Sequence, residues 1–214
     1  MIATKDFKLL PSKNSLQNIC KAISVLDAII CQEWEYRYYS YNSKWGEGEE
    51  FFEMRDGSGD LMNILFLEKN CVINGFAHEF QKNQKSDLTT NLPEMYNDFI
   101  FGEPVASLGT TFCLWTNETE NWEVGLIKDY NDNSEELLAI FDGNPQTYID
   151  WASDYFEDSY KEIGIPLNTV TEIYQGKILT KEMVLSLVEE IEDWKLLEED
   201  LKEINYPFDF NKIA

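Results

Sequence analysis

Histidine, arginine and cysteine are scarce in this 214-residue chain, and each scarcity excludes something. One histidine, His78, cannot build a multi-histidine metal centre, and four dispersed cysteines (Cys20, Cys31, Cys71, Cys113) contain no CxxC pair. Unclustered thiols of this kind read as reduced, buried apolar residues rather than as a disulfide or zinc framework. Only Arg37 and Arg55 carry a guanidinium, and 17 basic residues face 40 acidic ones, for a net charge of −23. Duplex nucleic acid and anionic membrane surfaces are poor partners for such a chain, because both bind through lysine and arginine. No run approaches the roughly 18 apolar residues of a membrane helix, and Met1–Ser15 has no apolar signal core, so a cytoplasmic location is expected. No GxSxG, HExxH, P-loop or GxGxxG motif is present in its required context, and no cofactor or metal site is expected.

What the chain does have is a core's worth of apolar residues: 43% hydrophobic and 14% aromatic, which excludes a disordered acidic tail. Leu16, Ile19, Ile23, Leu26 and Ile30 recur at helical spacing and predict a helix from Ser15 to about Cys31. In Glu33–Trp45, Trp34, Tyr36 and Tyr38 alternate with Glu35, Arg37 and Tyr39, the two-residue period of a strand. Turns at 46–48 and 56–60 bracket a further strand from Glu50 to Arg55. Leu61–Leu67 with Cys71–Ala77, and Thr110–Thr116 with Trp122–Ile127, read as hairpins. The segment from Phe80 to Asn91 reads as a flexible loop, Pro93–Phe101 as a short helix, and Ser134–Phe141 as either strand or helix.

Beyond that the chain becomes helical. Asn144 before Pro145 is an N-cap followed by a first-turn proline. Leu167–Tyr174, a helix after Thr180, and a last helix carrying Ile191, Trp194, Leu197, Leu201 and Ile204 complete the series. Strands joined by short turns pair antiparallel, so the expected class is α+β: an antiparallel sheet built from hairpins, flanked by an N-terminal helix and a C-terminal helical acidic region. One domain over 1–214 is expected, with 142–206 as an alternative helical subdomain. Residues 1–128 carry 11 basic and 19 acidic groups, whereas 129–214 carry 6 and 21.

Two functional readings follow. In the first, the acidic end steers a basic protein partner, because complementary fields accelerate encounter. Glu189, Glu190, Asp193, Glu198, Glu199 and Asp200 are its candidate binding residues, with nearby aromatics as anchors. In the second, a metal- or His-dependent hydrolase uses His78 and Glu79 at a strand end with Asp56, Asp60 and Arg55. The 56–60 turn lacks the terminal glutamate of a calcium loop, and a turn explains its glycines and aspartates without a metal.

The segments EWEYRYYSYNSKW (33–45), MRDGSGD (54–60), GFAHE (75–79), TTFCLW (110–115) and FDGNPQTYIDWASDYF (141–156) resemble those of a family of uncharacterised bacterial proteins. In size, acidity and α+β pattern the chain also resembles the immunity proteins of bacterial polymorphic toxin systems. That resemblance implies a non-enzymatic protein that binds and neutralises a toxin, and it carries no particular binding residue over.

Overall fold

The computed structural model describes residues 1–80, 84–127 and 131–211. Its frame is a six-stranded antiparallel meander in the order β1-β2-β3-β4-β5-β6: Tyr39–Gly46, Glu49–Arg55, Leu61–Phe66, Cys71–Phe76, Phe112–Thr116 and Trp122–Val124. Both hairpins expected from the sequence form, with Asn63 opposite Asn74 and Trp115 opposite Glu123, and the β4–β5 pairing sets Gly75 opposite Phe112. The helices among the described residues are α1 (Lys13–Ile30), α2 (Lys85–Leu88), α3 (Asn97–Phe101), α4 (Val105–Leu108), α5 (Ser134–Leu137), α6 (Pro145–Tyr155), α7 (Leu167–Tyr174), α8 (Lys181–Leu187) and α9 (Trp194–Ile204). The class is α+β.

Alternation along each strand divides the side chains between two packed faces. Tyr39, Tyr41, Phe52, Met54, Met62, Ile64, Phe66, Ile73, Phe112 and Leu114 join a large cluster with α1 and the helices after the sheet. Phe51, Leu65, Val72, Cys113 and Trp115 point the other way, against Tyr96, Phe99, Ile100 and Val105. Two-sided cover is why β3, β4 and β5 read as near-continuous apolar runs rather than alternating ones. The large cluster runs unbroken from α1 into α6–α9, so the C-terminal helices share the core of the sheet.

Caps fall where side-chain chemistry puts them. Asn144 accepts the N–H of Gln146, Thr180 that of Met183, and Asp193 those of Lys195 and Leu196. Ser134–Phe141 resolves as helix, a short α5 followed by a 3-10 turn. Within the expected loop from Phe80 to Asn91, α2 forms; residues 81–83 lie outside the described residues.

Two expectations fail. Glu33–Trp45 is not one strand: Trp34–Tyr36 is a single 3-10 turn, and β1 begins at Tyr39. Trp34 and Tyr36 are therefore 53% and 63% exposed, while Tyr38 and Tyr39 turn inward onto Trp151 of α6, at 4.8 Å between ring centroids in both cases. The second failure concerns the acids. Residues 189–193 are an irregular, non-helical link between α8 and α9.

The interruption at Trp34–Tyr36 has an identifiable anchor. Asp27, on the buried side of α1, accepts the backbone N–H groups of Tyr39 (2.8 Å) and Tyr38 (3.2 Å) and the hydroxyl of Tyr148 (2.8 Å). It thereby pins α1 to the start of β1 and to α6. Burial pushes this carboxyl up to about 7, against the pull of the hydrogen bonds it accepts.

Candidate functional site

The structure sorts the six candidate acids into different jobs. Asp200 is spent inside the protein: its Oδ2 lies 2.7 Å from Arg37 Nη2, and both side chains are largely buried. The same guanidinium donates from Nε to the carbonyl of Cys31 and from Nη2 to that of Gln32, fastening the turn after α1 to α9. Asp193 is the cap of α9, and Gln32 holds its backbone N–H (3.1 Å) and carbonyl (2.9 Å). Glu198 and Glu199 pair with Lys202 and Lys195 one helical turn away, at 3.5 and 3.7 Å. Such exposed pairs hold their partners weakly and leave the carboxylates available.

Glu189 and Glu190 are placed differently. The 189–193 link folds back towards the end of α1, and between them opens a cleft of about 500 Å³. Its walls carry Glu33, Glu189, Glu190 and Glu192, its apolar lining is Ile29, Ile30 and Val188, and Tyr36 stands exposed at its side. Among the described residues no lysine or arginine lines it; Lys161 Nζ comes to 4.0 Å from Glu189 Oε2. Ile29, Ile30 and Val188 form a floor that is nearly buried, so the accessible wall carries four carboxylates and an exposed tyrosine, which suit a cation. Glu33, Glu192 and Tyr36 were not among the candidates from sequence. The signal that could have found Glu33 and Tyr36 is the Glu33–Tyr36 run of alternating acids and aromatics, which a strand reading assigns to packing; Glu192 belongs to the same acidic run as Glu189 and Glu190.

The second constellation comes together only in part. His78 Nδ1 lies 2.7 Å from Asp60 Oδ1, which also accepts the backbone N–H of His78 at 2.8 Å. The neighbouring Asp60 carboxylate raises the His78 pKa above its ordinary value, although the ring is open to solvent. Glu79 sits outside this pair, 79% exposed and 3.8 Å from Nε2. Asp56 closes the turn, accepting the N–H groups of Ser58, Gly59 and Asp60 and the hydroxyl of Ser58. Burial opposes this, but the accepted hydrogen bonds bring its pKa below the usual aspartate value. Arg55 is directed elsewhere, 3.9 Å from the ring centroid of Trp34 and 3.3 Å from Glu53. Among the described residues no group of three or more His, Cys, Asp or Glu side chains is arranged to hold a metal ion. Nor is any helix among them long and apolar enough to cross a membrane.

Comparison of the chain with protein-family models, with curated proteins and with solved structures finds no match.

Proposed function

We propose that this protein is a non-enzymatic binding protein for a basic protein partner, and that the cleft between the end of α1 and the 189–193 link is its contact surface. The observation that carries this reading is the convergence of Glu33, Glu189, Glu190 and Glu192 on one cleft with Tyr36 exposed beside it. Charge of one sign in a low-dielectric cleft focuses field lines and raises the local concentration of a cationic group. The exposed aromatics Tyr36 and Trp34 supply area that a partner can desolvate. A toxin domain with a basic surface is the partner class that fits this charge, which is how an immunity protein would use it.

The hydrolase reading has less behind it. Asp60 orients His78, but Asp56 is consumed by its turn, Arg55 by Trp34 and Glu53, and no nucleophile is placed against the imidazole by any contact described above.

A synthetic array of lysine- and arginine-rich peptides, with glutamate-substituted peptides as controls, tests the proposal. Binding to the wild-type chain is expected to weaken about tenfold from low to high ionic strength. It is expected to fall by a similar factor in the triple variant Glu189→Gln, Glu190→Gln, Glu192→Gln. Affinity that ignores both salt and the triple substitution would overturn it.

A further inference from the structure

A second, smaller cavity lies between β1, α1 and α9, away from the 189–193 link. Its volume is about 100 Å³, room for about three waters. Arg37, Glu53, Asp200 and Glu203 supply its charge, Ser24 of α1 its buried wall, and Trp34 and Trp45 its half-exposed aromatic edge.

Three independent features of this cavity ask for the same ligand. First, of the three carboxylates Asp200 is paired with Arg37 and Glu53 with Arg55, which leaves Glu203 without an ion-pair partner among the described residues, and the Arg37 guanidinium already spends Nε and Nη2 on Cys31, Gln32 and Asp200. Burial, reinforced by the neighbouring Asp200 charge, pushes the Glu203 carboxyl upward; burial does the same to Glu53 despite Arg55. Second, Ser24 is 1% exposed and its Oγ has no hydrogen-bond partner, an orphan hydroxyl on the lining of the cavity. Third, the indole of Trp45 stands at 44% exposure, stacked on Phe51 at 4.3 Å and so held in place, next to Trp34, one face of which already carries the Arg55 guanidinium. Aromatic faces beside carboxylates favour a cation with an apolar stem.

We propose that this cavity binds a primary alkylammonium group, with Glu203 as its counter-charge, Ser24 Oγ as a neutral acceptor and Trp45 against its methylenes. A guanidinium fits less well. Its planar fork seeks a bidentate carboxylate, and Arg37 already holds Asp200. An ammonium is compact and brings three donors to a lining rich in acceptors. The assignment goes beyond the partner surface and stands without it.

The test is a titration of the isotope-labelled full chain, followed at the amides of Ser24, Tyr41 and Glu203 and at the indole N–H groups. Its four probes are n-butylamine, 1,4-diaminobutane, Nα-acetyl-lysine methylamide and n-butyrate. The amines are expected to shift these signals saturably and butyrate to leave them unmoved. A preference for the diamine would mark a free amine as the ligand, and a preference for the lysine derivative a side chain of a partner. Glu203→Gln is expected to weaken amine binding at least about tenfold, as loss of a charge-assisted hydrogen bond does. Ser24→Ala, which removes only an unpartnered hydroxyl, is expected to weaken it less while the urea midpoint stays unchanged. Butyrate acting on the same signals, amine binding retained in Glu203→Gln, or no saturable shift at all would each overturn the assignment. The Glu189/Glu190/Glu192 triple variant should leave amine binding intact, so failure of the partner reading and failure of this one are separable.

Discussion

Arg37 and Asp200, 163 positions apart, meet at 2.7 Å with side-chain exposures of 4% and 14%. This pair removes Asp200 from the partner surface and makes it a structural residue. Breaking a buried pair by deleting one charge leaves the other uncompensated, which costs about 3–5 kcal/mol. Asp200→Asn is therefore expected to lower the urea midpoint clearly, with a loss of about 3 kcal/mol. The double variant Arg37→Met, Asp200→Leu should recover part of that loss. Additive single effects in the cycle would show that the two side chains do not act as a pair.

Asp27 gives the fold a pH dependence with a definite sign. Its carboxyl titrates at about 7 in the folded chain, against an ordinary value of 3.8. Between those two values the unfolded chain has already lost the proton that the folded chain keeps, so stability falls as pH rises from about 4 to about 7 and is level above that. Asn in this position mimics the protonated acid: its oxygen accepts from Tyr38 and Tyr39, and its amide donates to Tyr148. Asp27→Asn is expected to be close to wild type near pH 5 and to lose less stability than wild type by pH 8, as read from urea midpoints across that range. Asp27→Ala, which orphans the buried Tyr39 N–H and Tyr148 hydroxyl, is expected to cost about 3 kcal/mol even near pH 5. Parallel pH profiles for wild type and Asp27→Asn would refute this account.

Gly75 is required by its neighbour across the sheet. A Cβ at this position would lie 2.0 Å from Cζ of Phe112, whose ring packs flush over the glycine. Because both strands are interior to the sheet, neither can move aside. Gly75→Ala is expected to destabilise by about 2–3 kcal/mol through overpacking, and Gly75→Ala with Phe112→Leu to recover some of it. Equal stability of Gly75→Ala and wild type would show that the ring is free to shift.

His78 reports on Asp60. With the Asp60 carboxylate bonded to Nδ1, the imidazole holds its proton to higher pH than an ordinary histidine. Any stability it contributes is present below the unfolded-state pKa and is lost as pH rises through the folded one. Asp60→Asn should return the His78 titration, followed by NMR, towards 6.5. The ring is open to solvent, so the midpoint of unfolding should change little. An unchanged titration would mean that the contact is absent in solution.

Much of the candidate site was present in the sequence as composition, and little of it as position. Glu189 and Glu190 were identifiable because consecutive carboxylates bordered an apolar stripe. Asp193 and Asp200 looked the same in sequence, yet one caps a helix and the other neutralises a buried arginine. Asp60 and His78, set together in the hydrolase reading, do touch, since the turn at 56–60 and the end of β4 adjoin in the β3–β4 pairing. Arg55 instead contacts Trp34 and Glu53, and nothing local in the sequence says that Trp34 lies beneath it.

By itself, the sequence determined the parts that depend on neighbours a few residues away: the apolar stripe of α1, the hairpins, the caps at Asn144 and Thr180, and with them the α+β class. Tertiary structure alone decided that Asp27 is buried, that Trp34 and Tyr36 face outward, that both sides of the sheet are covered, and which carboxylates remain free. The division follows from range. Helix periodicity and turn chemistry are set within one or two turns of chain, whereas the state of a charge is set by whatever the folded chain brings within a few ångströms of it.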